Sequence, residues 1–498
     1  MYRCCLPRPY LQNGVRLLSS QPMGVPVPSS QDLKMPPCDY EPPPYKGPEK
    51  RHIQQVRGNL LSPALVTHFS EPLLIHDGYM QWLFDYNGKR YLDLFGGIVT
   101  ISVGHCHPKI IAAATEQMNR LWHTTNIYLH PKIHEYAERL TQTLPGDLKV
   151  VYFVNSGSEA NDLAMMMARL HTGNFDILTL RNSYHGASPY SAGLTAHGTW
   201  KYNFAHSFGI HHVMNPDPYQ GLWGGSRDSP IQSTRASESD VVNGVCSSVG
   251  KYIGQLDEVL QYSLPGGKLA AFFAESIQGV GGTVQFPLGY LKEAFELVRS
   301  KGGLCISDEV QSGFGRTGEH FWGFEGHGVV PDIVTMAKGI GNGFPLAAVV
   351  TTPSVAKTMS QALHFNTFGG NPVASAVGLA VLEALEENEI QRNCSEVGTY
   401  FLQNLAKLRE EYPVVGDVRG KGLMIGVEMV QDRNTRVPMN PQMMMKIWDS
   451  CKDLGVILGK GGYYGNVFRI KPPMCISYDD VDFTVGVLRK VLHKTMSE

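Results

Sequence analysis

Two stretches, ISDEVQSGFGRTG (306–318) and PDIVTMAKGIGNGFP (331–345), decide how this chain folds. In each of them a short apolar run ends in a charged residue, Asp308 in the first and Lys338 in the second. Continuous apolar runs of this length are typical of strands that are buried on both faces of a parallel sheet. Because ligands bind at the carboxyl ends of such strands, we expect these two side chains to face a ligand site.

The same kind of apolar run recurs along the middle of the chain and alternates with helical patterns. The runs are VVYFV (150–154), DILTL (176–180) and LAAFFAE (269–275), and the helical patterns are SGSEANDLAMMMARL (156–170) and YLKEAFELVRS (290–300). This alternation predicts an α/β fold with a parallel sheet covered on both faces. After about residue 375 a long helix, Ala374 to Leu385, leads into strand-like runs at 416–430 and 467–477, which predict a smaller α+β domain.

Four shorter segments have their own composition. Residues 1–31 are basic and contain no Asp or Glu, which predicts a mitochondrial transit peptide and a matrix location; an accidentally basic, disordered terminus is the alternative. Residues 36–48 are proline-rich and predict an extended connector ahead of the folded part. The Asn87-Gly88 pair lies between apolar runs and predicts a hairpin. Residues 213–248 are rich in Ser, Asp and Gly and predict an inserted surface loop.

The overall composition argues against several classes of protein. The chain has 498 residues and a formal net charge of −2, so there is no basic excess for binding nucleic acid. No stretch of roughly 18 or more uninterrupted apolar residues indicates a membrane span. The nine cysteines are scattered and odd in number, which indicates reduced thiols rather than a disulfide framework. Cys305 lies in an apolar run and is expected to be a core residue.

Lys338 is the first candidate for chemistry. A lysine at the end of a buried strand is energetically costly unless it is paired or reacted. Burial lowers the pKa of a lysine and so favours the neutral amine that attacks carbonyl carbons. The alternative is a loop lysine whose ammonium reaches water. The glycines that follow, Gly339, Gly341 and Gly343, do not have the G-x-G-x-x-G spacing of a dinucleotide-binding loop.

Asp308 is the second candidate, because a buried carboxylate stays ionised only beside a cation such as a protonated ring nitrogen. A capping or loop aspartate is the alternative. The pair Asp308-Glu309 could also suggest a metal site or an ATPase, but the chain lacks G-x-x-x-x-G-K-[ST], which excludes the P-loop ATPases. We expect no metal.

Other residues could bind a phosphorylated ligand and a carboxylate. Ser156, Gly157 and Ser158 lie between a strand and a helix, where free N–H groups favour phosphate; a plain capping motif, SGSE, explains them equally well. Tyr184 could stack on a ring or belong to the core. Thr367 offers a hydroxyl among glycines. Arg469 could grip a carboxylate with two hydrogen bonds or form a surface salt bridge.

Together these residues supply what pyridoxal-5′-phosphate chemistry requires: an amine, an acid, a phosphate site, a ring cover and a cation for the substrate. In their order and spacing, residues from about 55 to 490 resemble the class III aminotransferases of the fold-type-I pyridoxal-phosphate enzymes. The resemblance implies a large domain (106–375) on a mostly parallel seven-stranded sheet. It also implies a smaller α+β domain formed by 51–105 and 376–498, with residues 32–50 as connector.

The resemblance also implies a role for each site residue. Lys338 would be the Schiff-base lysine, Asp308 would pair with the pyridine nitrogen and Gln311 would bond the phenolic oxygen. Thr367 would reach the phosphate of a neighbouring subunit, which implies a homodimer or a tetramer built from two such dimers. Arg469 would take the substrate carboxylate. The remaining cofactor-binding residues would be Ser156, Gly157, Ser158, Tyr184, His185 and Glu275.

Two departures from the family pattern bear on the substrate. Ser276 stands where the family usually has proline. Val280 stands where members that use ornithine or 4-aminobutyrate carry a glutamate that pairs with the arginine. Because valine cannot pair with Arg469, we expect small substrates: alanine or a short β-amino acid such as 3-aminoisobutyrate as donor, and glyoxylate or pyruvate as acceptor. GIVTISVGHCHP (97–108) and GLWGGSRDSPIQ (221–232) resemble the members that act on alanine and glyoxylate.

One alternative comes from another reaction class. Related phospho-lyases eliminate phosphate from ethanolamine phosphate or phosphohydroxylysine, and they share AES (274–276) and IKPPMC (470–475) with this chain. The ethanolamine-phosphate lyases carry lysine before IKPP, where this chain has Arg469. A second alternative, a relative that binds no cofactor, would have lost Lys338 or Asp308, and both are present.

Overall fold

The fold is described from a computed structural model, which covers residues 33–203, 206, 208–224, 241–242, 245–246 and 248–497. The predicted transit peptide, 1–31, lies outside the described residues. The strands are β1 (Ile75–Tyr79), β2 (Trp82–Asp85), β3 (Arg90–Leu94), β4 (Val150–Val154), β5 (Ile177–Leu180), β6 (Ile210–Val213), β7 (Val241–Val242), β8 (Val245–Cys246), β9 (Ala271–Glu275), β10 (Leu304–Asp308), β11 (Ile333–Met336), β12 (Ala347–Thr351), β13 (Val415–Lys421), β14 (Met424–Met429), β15 (Val456–Gly461) and β16 (Val467–Ile470). The helices are α1 (Lys50–Leu60), α2 (Gly96–Val99), α3 (Pro108–Arg120), α4 (Pro131–Thr141), α5 (Gly157–Thr172), α6 (Val249–Tyr262), α7 (Tyr290–Ser300), α8 (Pro353–Thr358), α9 (Pro372–Glu387), α10 (Ile390–Glu411), α11 (Pro441–Asp453) and α12 (Tyr478–Ser497).

The larger part of the molecule is built on a seven-stranded sheet with the order β4-β12-β11-β10-β9-β5-β6. Four neighbouring pairs are parallel, and only β12 runs antiparallel to both of its neighbours, β11 and β4. This confirms the mostly parallel sheet of the α/β prediction. Because β10 and β11 are parallel neighbours, their carboxyl ends meet at one edge of the sheet. Asp308 is the last residue of β10, and Lys338 follows β11 by two residues.

Both faces of this sheet are covered, as the uninterrupted apolar runs predicted. Successive residues of β9 and β10 belong to different clusters: Phe272 and Cys305 pack with α6 and α7, whereas Phe273 and Ile306 pack with α5. All four side chains are inaccessible to solvent. Side chains of a strand alternate between faces, so a strand covered on both sides has no position that faces solvent. The prediction that Cys305 is a core residue is confirmed.

A second seven-stranded sheet, with the order β1-β2-β3-β15-β16-β14-β13, combines strands from the two ends of the chain. The junction is the parallel pair of β3 and β15, where Leu92 faces Val456. The predicted hairpin at Asn87-Gly88 is confirmed, because β2 and β3 are antiparallel on either side of it and Gly88 has a left-handed φ of 79°. The exact domain boundaries stay a prediction.

The proline-rich segment before α1 is extended, as predicted, but it is not a free connector. Arg90 donates a hydrogen bond to the carbonyl oxygen of Pro36 at 2.6 Å. Tyr40 stacks on Tyr79 of β1 with 4.8 Å between ring centroids. The folded part therefore begins before α1, because aromatic contacts hold the segment against the second sheet.

The prediction of a surface loop over 213–248 is wrong for its first part. Pro216 to Tyr219 are buried. Arg436 donates to the carbonyl oxygen of Tyr219 at 2.6 Å, and Gln220 donates to Glu428 of β14 at 2.7 Å. The segment packs against the second sheet through contacts between residues far apart in sequence. Residues 225–240 of the predicted loop lie outside the described residues.

Neither disulfides nor membrane-spanning helices occur in the part of the chain that the structure describes. The cysteines whose side chains are described, Cys38, Cys106, Cys305, Cys394, Cys451 and Cys475, are all free thiols. Within the same residues, no helix has both the length and the apolar character needed to cross a membrane.

Candidate active site

The predicted residues meet in a cavity of about 170 Å³ at the carboxyl ends of β9 and β10, next to the N-terminus of α5. Of the residues predicted from the sequence, only Thr367 and Arg469 are not part of its wall. The lining consists of Ser156, Gly157, Ser158, Asn161, Tyr184, His185, Gly186, Glu275, Asp308, Val310, Gln311 and Lys338.

The carboxylate of Asp308 is buried and faces three hydrogen-bond donors. The carboxylate is 4% exposed. Its Oδ2 accepts hydrogen bonds from His185 Nδ1 at 2.8 Å and from Asn161 Nδ2 at 2.9 Å, and its Oδ1 accepts one from the backbone N–H of Val310 at 3.1 Å. Donors that face a carboxylate stabilise its charge. The structure therefore places a buried carboxyl group in the cavity wall, where a cationic ring nitrogen would find a partner.

Asn161 is a site residue that the sequence reasoning missed. It lies one turn after Gly157 on α5, and it also donates to the carbonyl oxygen of His185 at 2.7 Å. Its apolar neighbours Ala160 and Ala164 are buried with it. A buried amide on an apolar helix face needs polar partners, so its position in this helix was the available signal.

Lys338 begins a short 3-10 turn, Lys338–Gly341, two residues after β11 ends. Its φ of 52° is left-handed, a conformation that costs energy for a residue with a side chain and that is found most often at functional sites. Burial lowers the pKa of Lys338 to about 8, although the negative charges of Asp308 and Glu275 oppose that shift. The direction of the predicted pKa shift is confirmed. A substantial fraction of this amine is neutral near pH 8.

The start of α5 serves both as a capped helix end and as a cavity wall. Ser156 Oγ accepts a hydrogen bond from the backbone N–H of Glu159 at 3.2 Å, which confirms the capping interpretation. Gly157 and Ser158 line the cavity, and N–H groups in the first turn of a helix have no acceptor within the helix. The cap uses the Ser156 side chain and not the N–H groups of Gly157 and Ser158. Those N–H groups and the positive end of the helix dipole therefore form a favourable site for a phosphate.

Tyr184 and Glu275 are joined across the cavity wall. Glu275 accepts hydrogen bonds from the backbone N–H of Tyr184 at 3.2 Å and from that of Gly279 at 2.7 Å. Burial raises the pKa of Glu275, and the charge of His185 opposes the shift. The Tyr184 ring makes an edge contact with Trp200, with 5.4 Å between centroids. The backbone of the Tyr184 segment is thus fixed by the carboxylate at the end of β9.

Arg469 is buried without a carboxylate partner. Its Nε and NH1 atoms have no hydrogen-bond acceptor among the described residues, although the side chain is only 5% exposed. By contrast, the buried Arg419 pairs with Asp417 at 2.9 Å and also with Glu428. Burial lowers the pKa of Arg469 to about 10, which Glu275 partly offsets. A buried cation of this kind is stabilised when an anionic ligand binds to it.

Gln311 is fixed by a second residue that the sequence reasoning missed. Lys471 is fully buried, and its Nζ donates to Gln311 Oε1 at 3.1 Å and to the carbonyl oxygen of Gly279 at 3.3 Å. An isolated lysine in the apolar run 467–477 was the sign of a buried polar contact. Lys471 bonds to a residue of the cavity wall but is not part of the lining itself.

Ser276 stands where the family usually has proline, and its side chain has a hydrogen-bond partner. Its hydroxyl donates to the buried carboxylate of Glu309, which also accepts hydrogen bonds from Ser312 at 2.9 Å and from the backbone N–H groups of Gly323 and Phe324 at 2.8 and 3.0 Å. Burial raises the pKa of Glu309, and these hydrogen bonds oppose the shift. Serine therefore adds a donor to a buried anion, which proline could not supply.

The donors and acceptors of the cavity fit pyridoxal 5′-phosphate. The buried carboxyl group of Asp308 suits a protonated pyridine nitrogen, and the amine of Lys338 suits an aldehyde carbon. The N-terminus of α5, which begins at Gly157, offers N–H groups that can bind a phosphate. His185 Nε2 and Asn161 Oδ1, both buried, have no partner among the described residues. Across the described residues there is no cluster of three or more metal-ligating side chains.

This arrangement of fold and site defines a class of protein. Residues 66–492 match the family model described as Aminotransferase class-III. The chain therefore belongs to the class III aminotransferases, which are pyridoxal-phosphate-dependent enzymes.

Known proteins that are similar to this chain extend the comparison. It is 53% identical over 466 residues to human "Alanine--glyoxylate aminotransferase 2, mitochondrial", which covers 93% of this chain and 90% of the relative. A phospholyase from Arthrobacter, solved in complex with phosphoethanolamine, has a TM-score of 0.80 and 31% identity, covering 89% of this chain and 99% of the other. An (S)-enantioselective omega-transaminase from Thermomicrobium roseum has the same TM-score and identity, with coverage of 90% and 98%.

Proposed function

We propose that this chain transfers the amino group of alanine, or of a short β-amino acid such as 3-aminoisobutyrate, to glyoxylate or pyruvate. The observation that carries the proposal is the buried guanidinium of Arg469, which has no carboxylate partner among the residues that the structure describes. Val280, whose carbonyl oxygen accepts from the backbone N–H of Gly462 at 3.1 Å, places no charge near it. The cation is therefore available to the carboxylate of a small substrate. The 53% identity to the human relative named for alanine and glyoxylate supports this choice.

The predicted roles in the site are proposed on the same grounds. Asp308 would hold the pyridine nitrogen, Gln311 the phenolic oxygen, and the N-terminus of α5 the phosphate. When bound, pyridoxal phosphate supplies an electron sink for the carbanion formed at the substrate's α-carbon. Lys338 Nζ would take the α-proton as a neutral amine and hold it for the return step. The pKa of about 8 keeps a usable fraction of that amine uncharged.

A homodimer is proposed from the surface around Thr367. Thr367 is exposed, and three large apolar neighbours, Leu363, Phe365 and Phe368, are 102%, 55% and 60% exposed. His123 lies 5.5 Å from the Phe368 ring and extends this area toward a second exposed apolar segment. That segment consists of Leu121, Trp122, Ile127, Tyr128 and Leu129. A contiguous apolar surface of this kind marks an interface, which would bring Thr367 to the phosphate site of a second subunit.

A mitochondrial location, in the matrix, is also proposed. The basic, acid-free composition of residues 1–31 supports it, as does the word mitochondrial in the name of the human relative. Mass spectrometry of the N-terminus of protein purified from mitochondria tests this proposal. A mature chain that begins after the basic segment is expected, and an intact Met1 would contradict it.

A donor and acceptor panel with the purified holoenzyme tests the proposed reaction. Alanine with glyoxylate is expected to turn over faster than ornithine with 2-oxoglutarate, because no carboxylate at position 280 masks Arg469. Arg469→Gln is expected to raise KM for alanine, while Arg433→Gln, at a half-buried position after β14 that does not line the cavity, serves as the control. Faster turnover of ornithine would contradict the proposal.

The phospho-lyase is a second candidate, favoured by the structural similarity to the Arthrobacter protein. Both reactions begin by removing a proton from the carbon that bears the amino group, and a leaving group on the next carbon then decides between elimination and transfer. The same panel separates them, since release of phosphate from phosphoethanolamine without any keto acid identifies a lyase. We expect no such release, because Arg469 suits a carboxylate and Lys471 is not part of the cavity lining.

A further inference from the structure

Gln311 is the wall residue whose orientation is ambiguous by itself, since a carboxamide can turn either its oxygen or its nitrogen toward a ligand. The side chain is 6% exposed and lines the cavity. If Nε2 faces the cavity, Gln311 donates a hydrogen bond to a phenolic oxygen. If Oε1 faces it, the two oxygen atoms repel each other. The proton affinity of a bound cofactor therefore depends on which way the amide points.

We propose that Lys471 is a positioning residue that fixes the amide of Gln311 so that its Nε2 donates into the cavity. The inference rests on the proposed contact between Gln311 and the phenolic oxygen. Lys471 Nζ carries only N–H groups when charged, and it approaches Gln311 Oε1 to 3.1 Å and the carbonyl oxygen of Gly279 to 3.3 Å. Both of these partners are acceptors, so Nε2 of Gln311 is left to face the other way.

The backbone on both sides of this contact leaves little freedom. A Cβ added to Gly279 would lie 2.3 Å from Gln311 Oε1 and 2.4 Å from its Cδ, so the amide packs flat against a glycine. The backbone N–H of Lys471 donates to the carbonyl oxygen of Leu94 at 2.8 Å. Arg316 donates to the carbonyl oxygen of Pro472 at 2.9 Å and so holds the chain just after Lys471. The position of Lys471 next to the Gln311 amide is therefore fixed by its backbone contacts.

Charged groups surround Lys471 on several sides. Burial lowers its pKa well below the usual value, with further lowering by Arg469, Lys338 and Arg316, and the negative charge of Glu275 opposes the shift. A neutral amine still has the two N–H groups that these two hydrogen bonds need. Because a neutral amine also has a lone pair that can accept a hydrogen bond, the charged form of Lys471 selects the orientation of the amide most strictly.

The experiment measures the absorbance of the bound cofactor in the holoenzyme as a function of pH. We expect Lys471→Met to raise the midpoint of this titration by about one pH unit, the effect of losing one hydrogen bond to a charged oxygen. Gln311→Leu should raise it by a similar amount. Lys452→Met removes another buried lysine, which pairs with Asp453 at 3.1 Å, and should leave the midpoint unchanged. Lys471→Gln keeps an N–H donor and should retain the wild-type midpoint.

The double variant distinguishes positioning from a direct charge effect. If Lys471 acts through Gln311, Lys471→Met causes no further shift in the Gln311→Leu background. A shift that persists in full in that background would overturn the inference, as would a wild-type midpoint in Lys471→Met beside a shifted one in Gln311→Leu. No shift in Gln311→Leu would instead overturn the proposed contact of Gln311. Lys471→Ala replaces Lys471→Met if the latter does not fold.

Discussion

Replacing Val280 by glutamate tests why Arg469 is available to a substrate. Val280 is buried, and its carbonyl oxygen lies at the end of β15, the strand that pairs with the one carrying the arginine. A Cβ on Gly461 would lie 2.6 Å from Arg469 Nε and 3.1 Å from the carbonyl oxygen of Val280, so both atoms flank the same glycine. A carboxylate at position 280 can therefore reach the guanidinium, which has no competing acceptor on its Nε and NH1 among the described residues.

The expected loss follows from the strength of that ion pair. Two opposite unit charges about 4 Å apart attract each other by about 4 kcal/mol at an effective dielectric constant of about 20. Desolvation of the new carboxylate cancels part of this attraction, which leaves about 1.5 to 3 kcal/mol, as for hydrogen bonds to charged groups. A substrate carboxylate must displace this pair before it binds. We expect kcat/KM for alanine to fall about tenfold to a hundredfold.

Steady-state kinetics with alanine and glyoxylate measures the effect. Val280→Gln is the matched control, because glutamine has nearly the same size as glutamate but carries no charge. The expected result is a large loss for Val280→Glu and a much smaller one for Val280→Gln, with the loss appearing mainly in KM. Equal losses in both variants would show that size and not charge matters at this position. An unchanged KM in Val280→Glu would show that a carboxylate at position 280 does not compete with the substrate for Arg469.

Further predictions concern proton affinity and stability. The rate of pyridoxal-phosphate uptake by the apoprotein should rise with pH through about 8, because the buried Lys338 attacks only as a neutral amine; stopped-flow absorbance measures this, and a flat profile would contradict it. In Asp308→Asn the midpoint should move to lower pH, since the charge of Asp308 raises the pKa of Lys338. Ser276→Ala should lower the free energy of unfolding by about 1 to 3 kcal/mol, because it removes a donor from the buried Glu309. Urea unfolding checks that value, and Ser497→Ala, at the exposed end of α12, should change it little.

The fold and the main site residues could be predicted because their signals are local. Asp308 and Lys338 each follow an uninterrupted apolar run, and the parallel pairing of β10 and β11 brings the ends of those runs together. The helix start at Ser156 was recognisable from its capping residues. The reversed direction of β12 could not be predicted, because an apolar strand has the same pattern in either direction.

What was missed depends on contacts between distant residues. Asn161 and Lys471 gain their roles from Asp308 and Gln311, which are far from them in sequence. The segment 213–224 has no periodic pattern and was predicted to lie at the surface. Pro216 to Tyr219 are buried, and Arg436 and Glu428 of β14 bond to this part of the segment. Composition alone does not indicate such contacts.

The most direct test of the central claim is reduction of the holoenzyme with borohydride followed by peptide mass spectrometry. We predict one pyridoxyl-phosphate adduct, on Lys338, and no adduct in the Lys338→Ala variant treated in the same way. An adduct on a different lysine of the wild-type protein, such as Lys471, would contradict it.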